Sequence, residues 1–151
     1  MIYKTITEWL EGKIEAFNDP LTDPERIKKI DVNLDLGFLP ANMKDKRYLV
    51  TLSGIEEDPG ESHIRTAEVM IEFHFTLFKK PIEYYEEIID KYLLPLALLL
   101  EDDTVSGLEF ESNGILLANL RETRLTGLDK LDKGGKYIMP VINFKLEFLI
   151  N

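Results

Sequence analysis

The longest alternating pattern in the chain lies in residues 65–78, and it constrains the fold more than any other feature. Apolar residues take every second position there, namely Ala67, Val69, Ile71, Phe73, Phe75 and Leu77, with Glu68, Met70, Glu72, His74 and Thr76 between them. Residues two apart share one face of a β-strand, whereas a helix would spread them around its circumference. The pattern therefore predicts a long strand, which needs neighbouring strands and a covering layer to bury its apolar face.

A two-residue period or a turn signal marks five further strands. They are predicted over residues 30–38, 47–53, 105–112, 115–125 and 137–150. Asn113-Gly114 indicates a hairpin, because both central positions of a type I′ turn require positive φ. The last segment is the most regular, with one face formed by Ile142, Phe144, Leu146, Phe148 and Ile150. A flexible connection is expected before it, over residues 127–136.

A helical period is present near the start of the chain. In residues 6–17 apolar side chains recur every three or four positions, which predicts an amphipathic helix. Trp9 lies on this apolar stripe and is expected to pack in the core, although a partner anchor gives the same pattern. Thr5 and Glu8 predict a capping box, and residues 18–20 (Asn-Asp-Pro) predict the helix end. A short helical turn is predicted over residues 24–29, with Asp23 as its N-cap.

The second helix is predicted over residues 81–94. Its apolar stripe places Tyr85 inside and Tyr84 at the rim of the core. Pro95 is expected to kink or end this helix, because proline lacks a backbone N–H and its ring clashes with the preceding turn. Residues 96–100 are expected to continue as a further buried turn.

The predicted order is therefore helix, three strands, helix, three strands. Two helices are too few to supply the crossovers of a doubly wound parallel sheet. We expect an α+β fold, with a largely antiparallel twisted sheet of about five to six strands and two main helices packed on one face. The length of 151 residues fits a single domain spanning residues 1–151.

Charge and composition exclude several classes of function. The chain has 28 acidic and 18 basic residues, a net charge of −10, so tight nucleic-acid binding through phosphate neutralisation is not expected. It has no cysteine, which removes disulfides and thiolate chemistry. Residues 1–5 lack the basic and apolar pattern of a secretory signal. The most apolar run, residues 92–100, is too short to span a membrane, which takes about 20 residues.

No pattern in the chain nominates a reaction. The two histidines, His63 and His74, have neither metal-site spacing nor a cysteine partner. The acidic clusters at residues 56–58 and 101–103 lack the order of a calcium loop. The sequence Gly134-Gly135-Lys136 lacks the upstream glycine and the Ser or Thr of a phosphate loop. We therefore expect no enzymatic activity, no cofactor and no metal.

An acidic segment is the one candidate for a functional surface. Residues 54–63 are longer than a usual hairpin connection and rich in acids and turn formers, so they are expected to form a loop. Its candidate assembly residues are Glu56, Glu57, Asp58, Pro59, Gly60 and Glu61. Loops of this kind often carry function, although a surface loop without a role has the same composition.

The order of elements resembles the tail terminator and tail-completion proteins of long-tailed bacteriophages, which include head–tail joining proteins. The resemblance is carried by the opening helix at residues 5–10, paired strands at residues 48–53 and 67–77 around a long loop, the central helix at residues 81–94 and the terminal strand at residues 137–150. It implies a homo-oligomer, usually a hexameric ring, that caps the tail tube and contacts a head-completion protein. It also implies a place in the virion tail after assembly in the bacterial host cytoplasm.

Two other classes of function remain open at this point. A small ligand-binding or enzymatic module of a bacterial cell would have its pocket between sheet and helix. A cellular adaptor would bind a peptide along an edge of the sheet. The acidic balance agrees with the ring, because a channel through which DNA slides should repel phosphate.

Overall fold

The computed structural model describes residues 2–30, 45–58, 60–77, 79–101, 104–105, 115–129 and 137–150. Helix α1 spans Ile2–Asn18, and a single 3₁₀ turn follows at Asp23–Glu25. Helix α2 has three consecutive parts: α-helical Ile82–Glu87, π-helical Ile88–Leu93 and α-helical Leu94–Glu101. The strands are β1 (Lys28–Lys29), β2 (Arg47–Asp58), β3 (Glu61–Thr76), β4 (Thr104–Val105), β5 (Ile115–Thr126), β6 (Tyr137–Ile138) and β7 (Val141–Ile150).

The strands form one largely antiparallel sheet. Their order is β1-β2-β3-β7-β5-β4, and the short β6 pairs with the end of β3. The β1–β2 pair is parallel, and the other pairs are antiparallel. The long strand β3 lies between β2 and β7, where both of its edges are hydrogen-bonded. The predicted α+β class, with a sheet and two helices, is confirmed.

The core lies between one face of the sheet and the two helices. The apolar row predicted for β3 is buried from Ala67 to Phe75, and its neighbour on β7 is buried from Ile142 to Phe148. Helix α1 buries Ile6, Leu10 and Ile14, and α2 buries Ile88, Tyr92, Leu93, Leu96 and Leu100. The Tyr92 ring lies 5.6 Å from Phe75 and 6.3 Å from Phe17, between centroids. This tyrosine therefore joins both helices to the sheet.

The start of α1 differs from the prediction. The helix begins at Ile2, so Thr5 lies inside it and is buried, and it does not act as a cap. The end at Asn18 is confirmed. The Asn18 side chain is buried there, donating to the carbonyl of Ile27 at 2.7 Å and accepting from the N–H of Ile27 at 2.9 Å. This pair satisfies two buried backbone groups of the chain that returns past the helix end.

The turn after α1 is shorter than residues 24–29, because Lys28 and Lys29 pair with β2. Thr22, not Asp23, precedes its first residue, and the Glu25 carboxylate accepts from both the N–H and the hydroxyl of Thr22. Trp9 is half-buried and packs against the core, as predicted.

The predicted continuation over residues 96–100 is present as helix up to Glu101, but only Leu96 and Leu100 of it are buried, whereas Leu98 and Leu99 are exposed. The helix is therefore not ended by Pro95. The π-helical part ends two residues before it, and the N–H of Leu94 donates to the carbonyl of Ile89, five residues back. We attribute the continuation to this wider turn, which moves the backbone away from the proline ring. The tyrosine orientation is also reversed: Tyr84 is buried, and Tyr85 is half-buried.

Several predicted features lie outside the described residues. These are the strand over 30–38 from residue 31 onward, the Asn113-Gly114 hairpin with residues 106–112, and the Gly134-Gly135 connection. The predicted terminal strand is divided into β6 and β7 by Met139-Pro140, and the Pro140 carbonyl accepts from the N–H of Phe73 at 2.9 Å. Neither α1 nor α2, as far as the chain is described, is long and apolar enough to span a membrane.

Candidate assembly surfaces

The acidic segment forms the end of a hairpin and not a ten-residue loop. Strand β2 continues to Asp58 and β3 begins at Glu61, so that Glu56 pairs with Thr66 and Glu57 with Arg65. The Arg65 Nη2 atom lies 3.6 Å from Glu57 Oε1. Composition misled the prediction, because the pairing of residues 54–57 with β3 is a contact between strands that local composition does not show.

The six candidate assembly residues are therefore distributed over two strands and their turn. Glu56 and Glu57 are exposed strand residues, Asp58 and Glu61 are register partners, and Gly60 lies in the turn. Pro59 lies outside the described residues. The register shifts between Glu57 and Asp58, so the last pair is offset from the regular ladder. The hairpin end thus carries negative charge toward solvent.

A β-bulge at Ser53 controls which side chains of β2 face the helices. Leu52 pairs with Val69 and Gly54 with Glu68, so β2 has one extra residue between these pairs. The extra residue returns Ile55, the partner of Ala67, to the helix side. The helix-facing row of β2 is buried at Tyr48 and Val50, half-buried at Leu52 and 46% exposed at Ile55. The apolar row therefore continues past the cover that the helices provide.

The last part of α2 exposes a second apolar surface. Residues 94–100 (Leu-Pro-Leu-Ala-Leu-Leu-Leu) include no charged or polar side chain. Leu96 and Leu100 are buried, whereas Leu94, Leu98 and Leu99 are 45%, 63% and 39% exposed. We call these three the leucine surface. A helix that is apolar around its whole circumference is normally covered on all sides, whereas this surface is left exposed.

A polar hollow lies on the opposite face of the sheet. It has a volume of about 310 Å³, and its lining includes Ser53, Glu68, Glu122, Arg124 and Lys145. Glu122 sits at a register shift of β5 with a φ of 55°, in the left-handed region, and its Oε2 lies 3.3 Å from Lys145 Nζ. Both signs of charge are present, so the hollow suits a small polar molecule better than a simple ion.

A half-buried carboxylate, that of Asp45, holds the start of α2 to the sheet. Asp45 Oδ1 accepts from the Thr76 N–H and from the Tyr84 hydroxyl, each at 3.0 Å, and Lys46 Nζ lies 3.1 Å from Oδ2. Burial alone would raise the pKa of Asp45, but the Thr76 N–H and Lys46 outweigh it and hold this pKa below its ordinary value. Burial, and then the Asp45 charge, raise the pKa of the Tyr84 hydroxyl.

A second polar anchor joins α2 to the turn after α1. The Lys91 ammonium contacts the Glu25 carboxylate and lies 3.7 Å from Glu87, and the Tyr92 hydroxyl donates to the Glu25 carbonyl at 2.8 Å. The hydrogen bond from Lys91, with those from Thr22, lowers the pKa of Glu25 to about 2. Both anchors connect elements of the fold.

The histidines do not come together. His63 is exposed near the hairpin end, whereas His74 is buried, with its ring 5.0 Å from that of Tyr137. Across the described parts of the chain, no group of three or more His, Asp or Glu residues is placed to hold a metal ion.

Sequence reasoning missed Asp45, Glu25 and the leucine surface. Asp45 carries no local signal, because its partners Thr76 and Tyr84 are distant in the chain. Glu25 has a local signal, the capping-box spacing from Thr22, but its contact with Lys91 has none. The leucine surface does have a signal, namely two helical turns without a polar residue, but this pattern predicts core and does not show which side stays exposed. No protein-family model and no curated protein matches the chain.

Proposed function

We propose that this protein is a structural subunit of a phage or prophage tail, one that forms a ring capping the tail tube and contributes to head–tail joining. The proposal starts from the resemblance in the order of elements. The observation that carries it is the leucine surface, because a tail subunit acts through contacts with copies of itself and with other virion proteins.

The exposure of the leucine surface supports a protein contact. Six large apolar side chains are exposed among the described residues, and three of them lie within residues 94–99. Apolar side chains scattered singly over a surface are normal, but several that adjoin one another mark an interaction site.

Charge supports the same function. Copies of a chain with a net charge of −10 repel one another, so contacts between them need a surface free of charge. The leucine surface has this property. The acidic hairpin end, with Glu56 and Glu57 exposed, is suited to the contact with tail tube protein or head-completion protein. Acidic charge toward the lumen of the ring repels phosphate and lets DNA slide. In this function the subunit has no catalytic residue and needs no cofactor.

The deciding experiment is the absolute mass in solution, measured by light scattering after size exclusion across a hundredfold range of concentration. A ring predicts a species near six times the subunit mass of 17.5 kDa, which dissociates only at low concentration. A chain that stays monomeric at every concentration, with and without the tail tube protein, would contradict the proposal.

The alternative function is a small ligand-binding module, and the polar hollow is the observation in its favour. The strained backbone at Glu122 and the Glu122–Lys145 pair are of a kind found at binding sites. A thermal-shift screen of zwitterionic small molecules tests it, with Lys145→Ala as the binding-site variant. A stabiliser of the wild type that has no effect on Lys145→Ala, in a chain that remains monomeric, would favour this alternative over the ring.

A further inference from the structure

The polar hollow lies where strands on both sides of the central β3–β7 pair become irregular. On β2 the extra residue at Ser53 lies beside Glu68, and on β5 the register shift at Glu122 lies across from Phe144. Phe144 directly precedes Lys145, which is the register partner of Glu68, so both irregularities occur at the same level of the sheet. Bulges bend a strand and redirect its side chains, and they are common beside binding sites. Two of them at one level surround the hollow of about 310 Å³.

Two charged groups of the hollow, one of each sign, have no counter-ion in the described part of the chain. Lys145 lies directly across from Glu68, but its ammonium is 3.3 Å from Glu122 Oε2. The Glu68 carboxylate accepts only from a hydroxyl, that of Ser53, at 3.2 Å. Arg124 is exposed, and its guanidinium forms neither an ion pair nor a hydrogen bond with a described residue. The hollow therefore has an unpaired acid on β3 and an unpaired base on β5.

The spacing of these two groups sets the length of a matching ligand. Strand β7 lies between β3 and β5, and neighbouring strands are about 4.8 Å apart, so the backbones that carry Glu68 and Arg124 are roughly 10 Å apart. An α-amino acid has both charges on one residue and is too short to reach both groups. An extended peptide spans at most about 3.3–3.6 Å per residue, so two or three residues place its termini roughly 7–10 Å apart.

We infer, on the basis of the ligand-binding alternative and not of the ring, that the polar hollow binds a short peptide with free termini. The ammonium of the peptide contacts Glu68, and its carboxylate contacts Arg124, whose guanidinium matches a carboxylate with two parallel hydrogen bonds. Ser53 and Asn143 add polar side chains to the lining between these two ends. Because the charged groups are exposed, each contact is weak, and the dissociation constant is expected to be on the order of 1 mM.

The test is a titration of trialanine into the isotopically labelled full chain, followed by NMR through the backbone amide shifts. Glu68→Gln and Arg124→Gln each remove one charge of the hollow. The matched controls are Glu72→Gln, at an exposed position of β3 outside the lining of the hollow, and Lys28→Gln, at an exposed position of β1. All four variants exchange one exposed polar side chain for another, and the amide spectrum of each verifies its fold.

Trialanine is expected to produce saturable shifts that are confined to the strands around the hollow. Glu68→Gln and Arg124→Gln should each weaken its binding by about fivefold, the upper end for an exposed ion pair, while both controls bind as the wild type does. Blocked peptides assign each end. N-acetyl-trialanine should bind the wild type and Glu68→Gln equally, and trialanine amide should bind the wild type and Arg124→Gln equally, because the contact that each variant removes is already absent.

Three results would overturn the inference. One is the absence of saturable shifts at about ten times the expected dissociation constant. Another is binding that blocked termini leave unchanged, and the third is binding that Glu68→Gln weakens equally for free and acetylated peptide. If another zwitterion still stabilises the wild type and not Lys145→Ala, the ligand-binding alternative stands without the peptide. A screen without any such stabiliser removes both, and neither outcome changes the mass that tests the ring.

Discussion

Removing the Asp45 carboxylate should destabilise the fold strongly. In Asp45→Ala the Thr76 N–H and the Tyr84 hydroxyl both lose their acceptor, at a site where Thr76 and Tyr84 are buried. A buried donor left without a partner costs about 1–3 kcal/mol, so two together should cost about 2–5 kcal/mol. Since small domains are stable by about 5–15 kcal/mol, this is a large fraction of the total.

The assay is equilibrium unfolding in urea at pH 7, followed by circular dichroism. Tyr84→Phe alone should cost about 1.5–3 kcal/mol, the usual contribution of one hydrogen bond to a charged group. In a chain that already carries Tyr84→Phe, Asp45→Ala leaves only the Thr76 N–H without a partner. The free-energy cost of the double variant should therefore be smaller than the sum of the costs of Asp45→Ala and Tyr84→Phe measured singly. Asp90→Ala, at an exposed position of α2, is the control and should stay within about 0.5 kcal/mol of the wild type.

The pH dependence follows from the lowered pKa of Asp45. A carboxyl whose pKa is lower in the folded state than its ordinary 3.8 contributes stability above pH 4, and that contribution is lost as the pH falls through the folded value. The stability difference between wild type and Asp45→Asn should therefore shrink below pH 4. A cost under about 1 kcal/mol for Asp45→Ala, or strict additivity with Tyr84→Phe, would refute the assigned role of this carboxylate.

Three further outcomes are expected. Phe144→Asp buries a charge in the β7 row and should lower the free energy of unfolding in urea by about 3–5 kcal/mol, whereas Asn143→Asp on the other face should lower it by under about 1 kcal/mol. An unchanged urea midpoint for Phe144→Asp would contradict the face assignment. Filter binding to duplex DNA at about 150 mM salt should show no submicromolar affinity, because the net charge of −10 opposes counterion release. Changing Glu56 and Glu57 together to Gln should leave the melting temperature within a few degrees, while tail completion in a phage assay should fall; full completion would remove the hairpin end from assembly.

The sequence by itself determined the strands with long alternating rows. In β3 and β7 every second residue is apolar, and a two-residue period is a property of the local chain that no helix can reproduce. For the same reason the face assignments of Phe73 and Phe144 were correct, and both are buried. The α+β class also follows from sequence, because it depends only on the number and order of the elements.

Local rules failed where a distant contact was decisive. Residues 54–63 have the composition of a loop, yet β2 continues to Asp58 and β3 begins at Glu61, with Glu57 across from Arg65. Pro95 has the local character of a helix end, yet α2 continues through it, with a π-helical part before it and a buried face after it. Propensity is worth fractions of a kcal/mol per residue, and tertiary packing exceeds it.

Only the tertiary structure decided which tyrosine is buried and which apolar residues are left uncovered. Tyr84 turns inward because its hydroxyl reaches Asp45, and that carboxylate lies 39 residues away in the chain. Residues 94–100 are equally apolar all round, and a periodic pattern cannot divide them into core and surface. Burial is a property of what packs against a residue, so Leu96 and Leu98 differ only through the position of α2 over the sheet.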